Sequence, residues 1–178
     1  MTSIPRVRRI VLASASLLCA AFLFRGNVAV ALVTRGDDLL RAGDVDGAVA
    51  RYARAERLDA ASAVASDRLA FFLLVRRRRG DAALAYAVAS RALRIVPADP
   101  ALLADRAFAA QRLARWGEAE RDFLDAARLG RDPRYAHLAA RSAAHRGDAR
   151  AARADLRTAL AIDGRYAPAK ALLRGRGA

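Results

Sequence analysis

One phrase returns along this chain at a near-constant interval, and no other feature restricts its fold so tightly. It reads Gly43-Asp44-Val45-Asp46-Gly47-Ala48, then Gly80-Asp81-Ala82-Ala83-Leu84-Ala85, then Arg115-Trp116-Gly117-Glu118-Ala119, then Gly147-Asp148-Ala149-Arg150-Ala151-Ala152. The closing alanines stand at 48, 85, 119 and 152, spaced 37, 34 and 33 residues apart. A period near that length marks stacked helix–turn–helix units, each too small to bury its own apolar face and dependent on its neighbours for a core.

Each unit carries the same packing set after its alanine. The sets are Ala48/Tyr52/Ala55/Leu58, Ala85/Ala89/Ala92/Ile95, Ala119/Phe123/Ala126/Leu129 and Ala152/Leu156/Ala159/Ile162. Offsets of four, three and three keep one helical face in line, so these residues form the inward stripe of the second helix of each pair. The upstream helices repeat the logic with Leu32/Gly36/Leu39, Leu69/Leu73, Leu103/Ala107/Ala110 and Ala136/Ala140/Ala143. Arg76 stands where Leu39 and Ala110 sit, which makes the second unit imperfect there. Asp99-Pro100 and Asp132-Pro133 offer N-cap carboxylates followed by proline at the first helical position. Gly43, Gly80 and Gly147 fall where the first helix of a pair must end. Pro168 opens a short segment, 169–173, able to cap the array.

The phrase, its period and these small and aromatic positions resemble the tetratricopeptide repeat family over roughly residues 29–166. Gly36, Ala48, Tyr52 and Ala55 match its pattern in the first unit. Its closing proline is matched by Pro97 and replaced by Ala60, Arg131 and Gly164 elsewhere. The expected fold is all-α: an α-solenoid of four such repeats, at about 29–62, 66–99, 100–133 and 133–166, with a cap and tail over 167–178. Strand signals are absent from the sequence.

The N-terminus is a different kind of segment. Arg6, Arg8 and Arg9 lie in a basic tail, 1–9, and an uncharged run from Ile10 to Phe24 follows, ended by Arg25. The pattern reads as a signal-anchor helix over 10–28 or as a cleavable signal peptide. The run is shorter than the ~20 residues that span a bilayer comfortably, although Val28 to Val33 prolong its apolar character. Cys19-Ala20-Ala21 and Ala29-Val30-Ala31 have the small residues a signal peptidase prefers, but cutting at the second site would remove part of the first repeat. An uncleaved anchor is the favoured reading, with secretion to the periplasm, or a buried soluble helix, as alternatives. The arginines before the run keep the N-terminus cytoplasmic, which places the repeats on the extracytoplasmic side of the inner membrane. Cys19, the one cysteine, excludes an intramolecular disulfide.

A net charge of +14, carried by arginine with Lys170 as the one lysine, directs attention to anionic partners. The family resemblance implies a concave groove lined by the first helix of each pair. Carried over by phase, its residues include Val33, Asp37, Leu40 and Arg41, then Leu74, Arg77 and Arg78, then Phe108, Gln111 and Arg112, then Arg134, His137, Arg141 and His145. From these the expected binding residues are Arg41, Arg77, Arg78, Arg112 and Arg141 for carboxylates, with Leu74 and Phe108 for apolar contact. The competing reading makes the arginines solvated helix faces. Asp37 stands where chaperone-binding members of the family carry asparagine, and the array lacks lysine, so their terminal-carboxylate clamp is not expected. Arg76-Arg77-Arg78-Arg79 closes a first helix, where cations complement the dipole, or else contacts lipid headgroups or phosphates. His137 and His145, two turns apart, are read as solvated or groove-lining, and Trp116 as packing at a turn. No nucleophile–base pair, phosphate loop or metal-ligand spacing is present, so an enzyme, a cofactor and a metal are not expected. The resulting expectation is a membrane-anchored adaptor for a protein with an acidic or amphipathic segment. A permanently integrated subunit and a binder of anionic polymer or nucleic acid are the alternatives. Nucleic acid is disfavoured, because aromatics do not interleave with the basic residues.

Overall fold

The computed structural model describes residues 24–175, and these are helical with no strand among them. The first helix, α1, spans 24–41. It is followed by α2 (Val45–Leu58), α3 (Ala63–Arg76), α4 (Asp81–Leu93), α5 (Pro100–Arg112), α6 (Trp116–Gly130), α7 (Pro133–His145), α8 (Ala149–Ile162) and α9 (Ala167–Arg174). Helix α1 runs without a break across residues 28 and 29, where the sequence reading drew the boundary of the apolar segment. The rest of the proposed anchor, 10–23, and the basic tail lie outside the described residues. Among the described residues no helix is long and apolar enough to cross a membrane.

The helices pair as α1/α2, α3/α4, α5/α6 and α7/α8, with α9 laid on α8. Successive helices pack on one another, and α3 also meets α5, the first helix of the next unit. The stops and starts have local causes. Asp99 accepts hydrogen bonds from the Ala101 and Leu102 amides (2.9 and 3.1 Å), and Asp132 accepts one from the Arg134 amide (2.9 Å), with Pro100 and Pro133 opening the helices behind them. Asp44 and Asp148 cap α2 and α8 in the same way. Five residues before each key alanine the chain turns through the left-handed region, at Gly43, Gly80 and Gly147 with φ of 82° to 86°. In the third unit that place is held by Ala114, at φ 57°.

The core is built from the small residues that the period singles out. Ala48, Ala55, Ala85, Ala89, Ala119, Ala126 and Ala159 have no exposed surface, and Tyr52 and Phe123 are the largest side chains fully enclosed. Gly36 lets Tyr52 in: a Cβ at residue 36 would stand 2.5 Å from a ring carbon of Tyr52. The Tyr52 ring stacks 5.7 Å from Phe72, and its hydroxyl donates to Asp37 over 2.6 Å.

Two expectations need correcting. Ile95 and Leu129 were placed in the inward stripes, yet they are 54 % and 50 % exposed. Helix α4 ends at Leu93, so Ile95 lies beyond it, and Leu129 lies in the last turn of α6. Arg76, read as an imperfection, is a specific fit. Its guanidinium forks onto Asp81, 4 % exposed, with Nε–Oδ2 2.9 Å and Nη2–Oδ1 2.6 Å, and the Arg78 amide adds a third donor at 2.8 Å. Those donors hold the Asp81 carboxyl below the usual range.

Candidate functional site

The first helices put three of the seven singled-out residues into one place. Helix α3 ends at Arg76, Arg77 takes the left-handed C-cap conformation (φ 59°), and the chain passes through Arg78 and Arg79 to Gly80. The end of α5 lies alongside and supplies Arg112. Arg77, Arg78 and Arg112, with Ala82, line a cleft of about 360 Å³ that has no carboxylate in its wall.

Each arginine is positioned differently. Arg112 donates from its guanidinium to the Leu74 carbonyl near the end of α3, which ties the two helix ends together. Burial lowers the Arg112 pKa from its usual value, and the nearby charge of Arg77 lowers it further. Arg78 is ion-paired with Asp46, which also lies 3.5 Å from Arg76. An oxyanion seated between Arg112 and Arg77 would relieve that repulsion and gain more than a single ion pair.

The other four residues fall elsewhere. Arg41 is exposed and pairs with Asp38 in its own helix. Leu74, expected on an apolar floor, is 5 % exposed and belongs to the core beneath the cleft. Phe108 is half-buried and meets Phe123 edge-on at 4.9 Å, so only part of its ring faces outward. Arg141 is exposed on α7 and lines a separate cavity with Arg153. The floor is therefore less apolar than the phase of the repeats implied.

The histidines and the tryptophan take structural contacts. His137 Nδ1 lies 3.2 Å from the Tyr166 hydroxyl, and burial, aided by the charge of Arg141, lowers its pKa. Trp116 stacks on His145 with centroids 4.4 Å apart. Asp37 is engaged by Tyr52 and by Arg68, whose Nε is 3.6 Å away.

The sequence reading missed a buried acid on α5. Asp105 of α5 is 4 % exposed, and its Oδ2 is buried with no hydrogen-bond partner among the described residues. Burial first, then the charges of Asp67 and Asp99, push its carboxyl up to about 8. Its neighbours in sequence, Ala104 and Arg106, gave no sign of an acid without a counter-ion.

No family model and no curated relative matches the sequence. Solved structures do. MamA 41-end from Desulfovibrio magneticus RS-1 is similar at 18 % identity with a TM-score of 0.67, covering 79 % of this chain and 78 % of that one. PilF of Pseudomonas aeruginosa is similar at 18 % identity with a TM-score of 0.63, covering 82 % of this chain and 65 % of that one. The first TPR domain of human RPAP3 is similar at 17 % identity with a TM-score of 0.55, covering 75 % and 96 % respectively. At such identities the likeness speaks for the backbone alone. Together with the helix pairing, it gives this chain the tetratricopeptide-repeat fold, an α-solenoid.

Proposed function

We propose that the chain is a non-enzymatic adaptor that holds an acidic, partly apolar segment of a partner protein against its first helices. Its N-terminal apolar stretch tethers it to the membrane, and the repeats lie on the extracytoplasmic side. The observation that carries this reading is the cleft walled by Arg77, Arg78 and Arg112, with no carboxylate in the wall although Asp46 pairs with Arg78. Guanidinium forks orient carboxylates in pairs of hydrogen bonds, and the half-buried Phe108 offers adjacent apolar area. Tethering would confine the partner near the bilayer and raise its effective concentration.

The test is in-cell crosslinking and capture with the full-length chain beside a variant carrying glutamate at Arg77, Arg78 and Arg112. A defined envelope protein captured by the wild type and lost from the folded variant supports the groove. Equal capture by both removes it. Fractionation of the full chain and of a form lacking residues 1–25 tests the tether.

A second reading, a permanently integrated subunit, draws on the apolar residues Val64, Phe71 and Val75 of α3. They are 59 %, 47 % and 47 % exposed at offsets that share one helix face. Aggregation of the isolated chain, relieved by Phe71→Ser and Val75→Ser, would favour it.

A further inference from the structure

Beyond the cleft, the fourth unit contains an apolar cavity of about 110 Å³. Arg141 and Ala144 of α7, Ala152, Arg153 and Leu156 of α8, and Leu172 of α9 line it. Apart from the two arginines, the side chains facing it belong to alanine and leucine. An open pocket so lined offers an ordered water few of the two to four polar partners it needs, and cavities near ~150 Å³ admit guests the size of benzene.

The repeat explains why the cavity exists. Helix α9 restates the start of α7 at an interval of 33 residues, with Ala136, Ala139 and Ala140 returning as Ala169, Leu172 and Leu173. Ala169 is fully buried, as Ala136 is, and packs in the cluster that contains Ala159 near the end of α8. Helix α9 then stops at Arg174 after eight residues, whereas α7 runs for thirteen. Leu172 is 40 % exposed although its counterpart Ala139 is fully buried. A hollow is thus left above the buried Ala152 and Leu156 of α8, walled by Arg141 and Ala144 of α7 and by Leu172 of α9.

Charge narrows the occupant. Neighbouring Arg134 and Arg146 have carboxylates, Asp132 at 2.6 Å and Glu120 at 2.8 Å. Arg141 and Arg153 have no such partner among the described residues, and both are exposed beside the cavity. A guest that fills the apolar space and satisfies both cations is an aliphatic side chain with acids on either side of it. Resting on the adaptor reading above, we propose that this cavity receives one aliphatic side chain of the partner's acidic segment, with Arg141 and Arg153 holding the flanking carboxylates. The cavity then selects the partner residue that the arginine cleft, acting on charge, leaves unspecified.

The probe is a fluorescein-labelled pentapeptide, Glu-Glu-Leu-Glu-Glu, compared with the same peptide carrying alanine at the centre. Binding to the full chain is followed by fluorescence anisotropy and by the ¹³C-methyl signals of the protein's alanines and leucines. The leucine peptide should bind at least about tenfold tighter, the discrimination that lost methylenes give in an apolar pocket. It should also shift the methyls of Ala144, Leu156 and Leu172. Ala144→Leu, at an exposed helical position, fills the cavity from within and should abolish the preference while leaving the helical circular dichroism unchanged. Arg141→Gln with Arg153→Gln should weaken both peptides alike. Equal affinity for the two peptides, or no binding of either, overturns the cavity assignment. The adaptor reading would survive that result if in-cell capture still depended on the cleft arginines. Methyl shifts that grow with protein concentration, no peptide being present, overturn it in favour of a second copy of the chain.

Discussion

Replacing Asp105 with asparagine should stabilise the array at neutral pH and leave it nearly unchanged at pH 4. The carboxyl titrates at about 8 in the folded chain because burial, with Asp67 and Asp99 nearby, opposes its ionisation; its ordinary value is 3.8. Below that ordinary value both the folded and unfolded states are protonated, and Asp105 costs nothing. As pH rises from about 4 to about 8 the unfolded chain releases a proton that the folded chain retains. Stability then falls by up to about 1.4 kcal/mol per pH unit. Over that window the cost reaches an upper value of about 6 kcal/mol, large against the roughly 5–15 kcal/mol that holds a typical domain together. Asparagine keeps the shape and removes the titration. Asp155, raised to about 7 chiefly by burial and then by Glu120, acts with the same sign over a shorter window. Asp81 and Asp132 have lowered values, from the hydrogen bonds of Arg76 and Arg134. Their contributions are present above the ordinary value and are lost only in more acidic solution. The assay is urea unfolding by far-UV circular dichroism at pH 4.5, 6, 7 and 8 for wild type, Asp105→Asn, Asp155→Asn and the double variant. The gap between Asp105→Asn and wild type should widen steadily up to pH 8. A constant gap at every pH would refute the assignment of Asp105 as a buried acid kept neutral by its surroundings.

Three further substitutions test the repeat geometry. Gly36→Ala drives a methyl group into the enclosed Tyr52 ring and should cost about 1–3 kcal/mol, read as a fall of several degrees in Tm. Pairing it with Tyr52→Leu should recover part of that loss; additive effects would remove the proposed contact. Ala114→Gly puts glycine at the left-handed turn where the other units already have it, and should stabilise by up to about 1 kcal/mol in chemical denaturation. Gly147→Ala, the mirror change in the fourth unit, should cost a similar amount.

Most of the architecture can be read from residue spacing because the interfaces repeat. Ala85, Ala119 and Ala152 face equivalent neighbours, so one rule for small residues serves all three units. Helix starts at Asp99-Pro100 and Asp132-Pro133 are local chemistry, and local chemistry is visible in a string of letters. The groove is different. Whether Leu74 faces solvent or core depends on how closely α5 lies against α3, and no spacing within α3 encodes that. Whether an arginine is available depends on its rotamer and on a carboxylate brought from elsewhere. Arg78 finds Asp46 thirty-two residues away, while Arg141 finds no carboxylate among the described residues. Ile95 matched the helical offset, but its helix ends at Leu93, and a period says nothing about where a helix stops.

The same distinction accounts for the buried acids. Asp122 and Asp155 occupy equivalent places in successive units, 33 residues apart. Asp122 receives both arms of Arg106, at 2.7 and 2.8 Å, and the counterpart of Arg106 one unit on is Ala139. Ala139 is fully enclosed in the cluster that holds Phe123, where a guanidinium would displace the aromatic packing. The fourth unit therefore keeps the acid and loses its cation, and Asp155 Oδ2 is left buried without a partner among the described residues. One residue type at one repeat position is an ion-pair anchor in one unit and a proton-binding group in the next. The difference lies wholly in the facing slot. Packing in such an array follows the residues that recur, whereas charge and binding follow the positions where recurrence fails: Arg76 against Asp81, the cleft at the ends of α3 and α5, and the cavity beside α9.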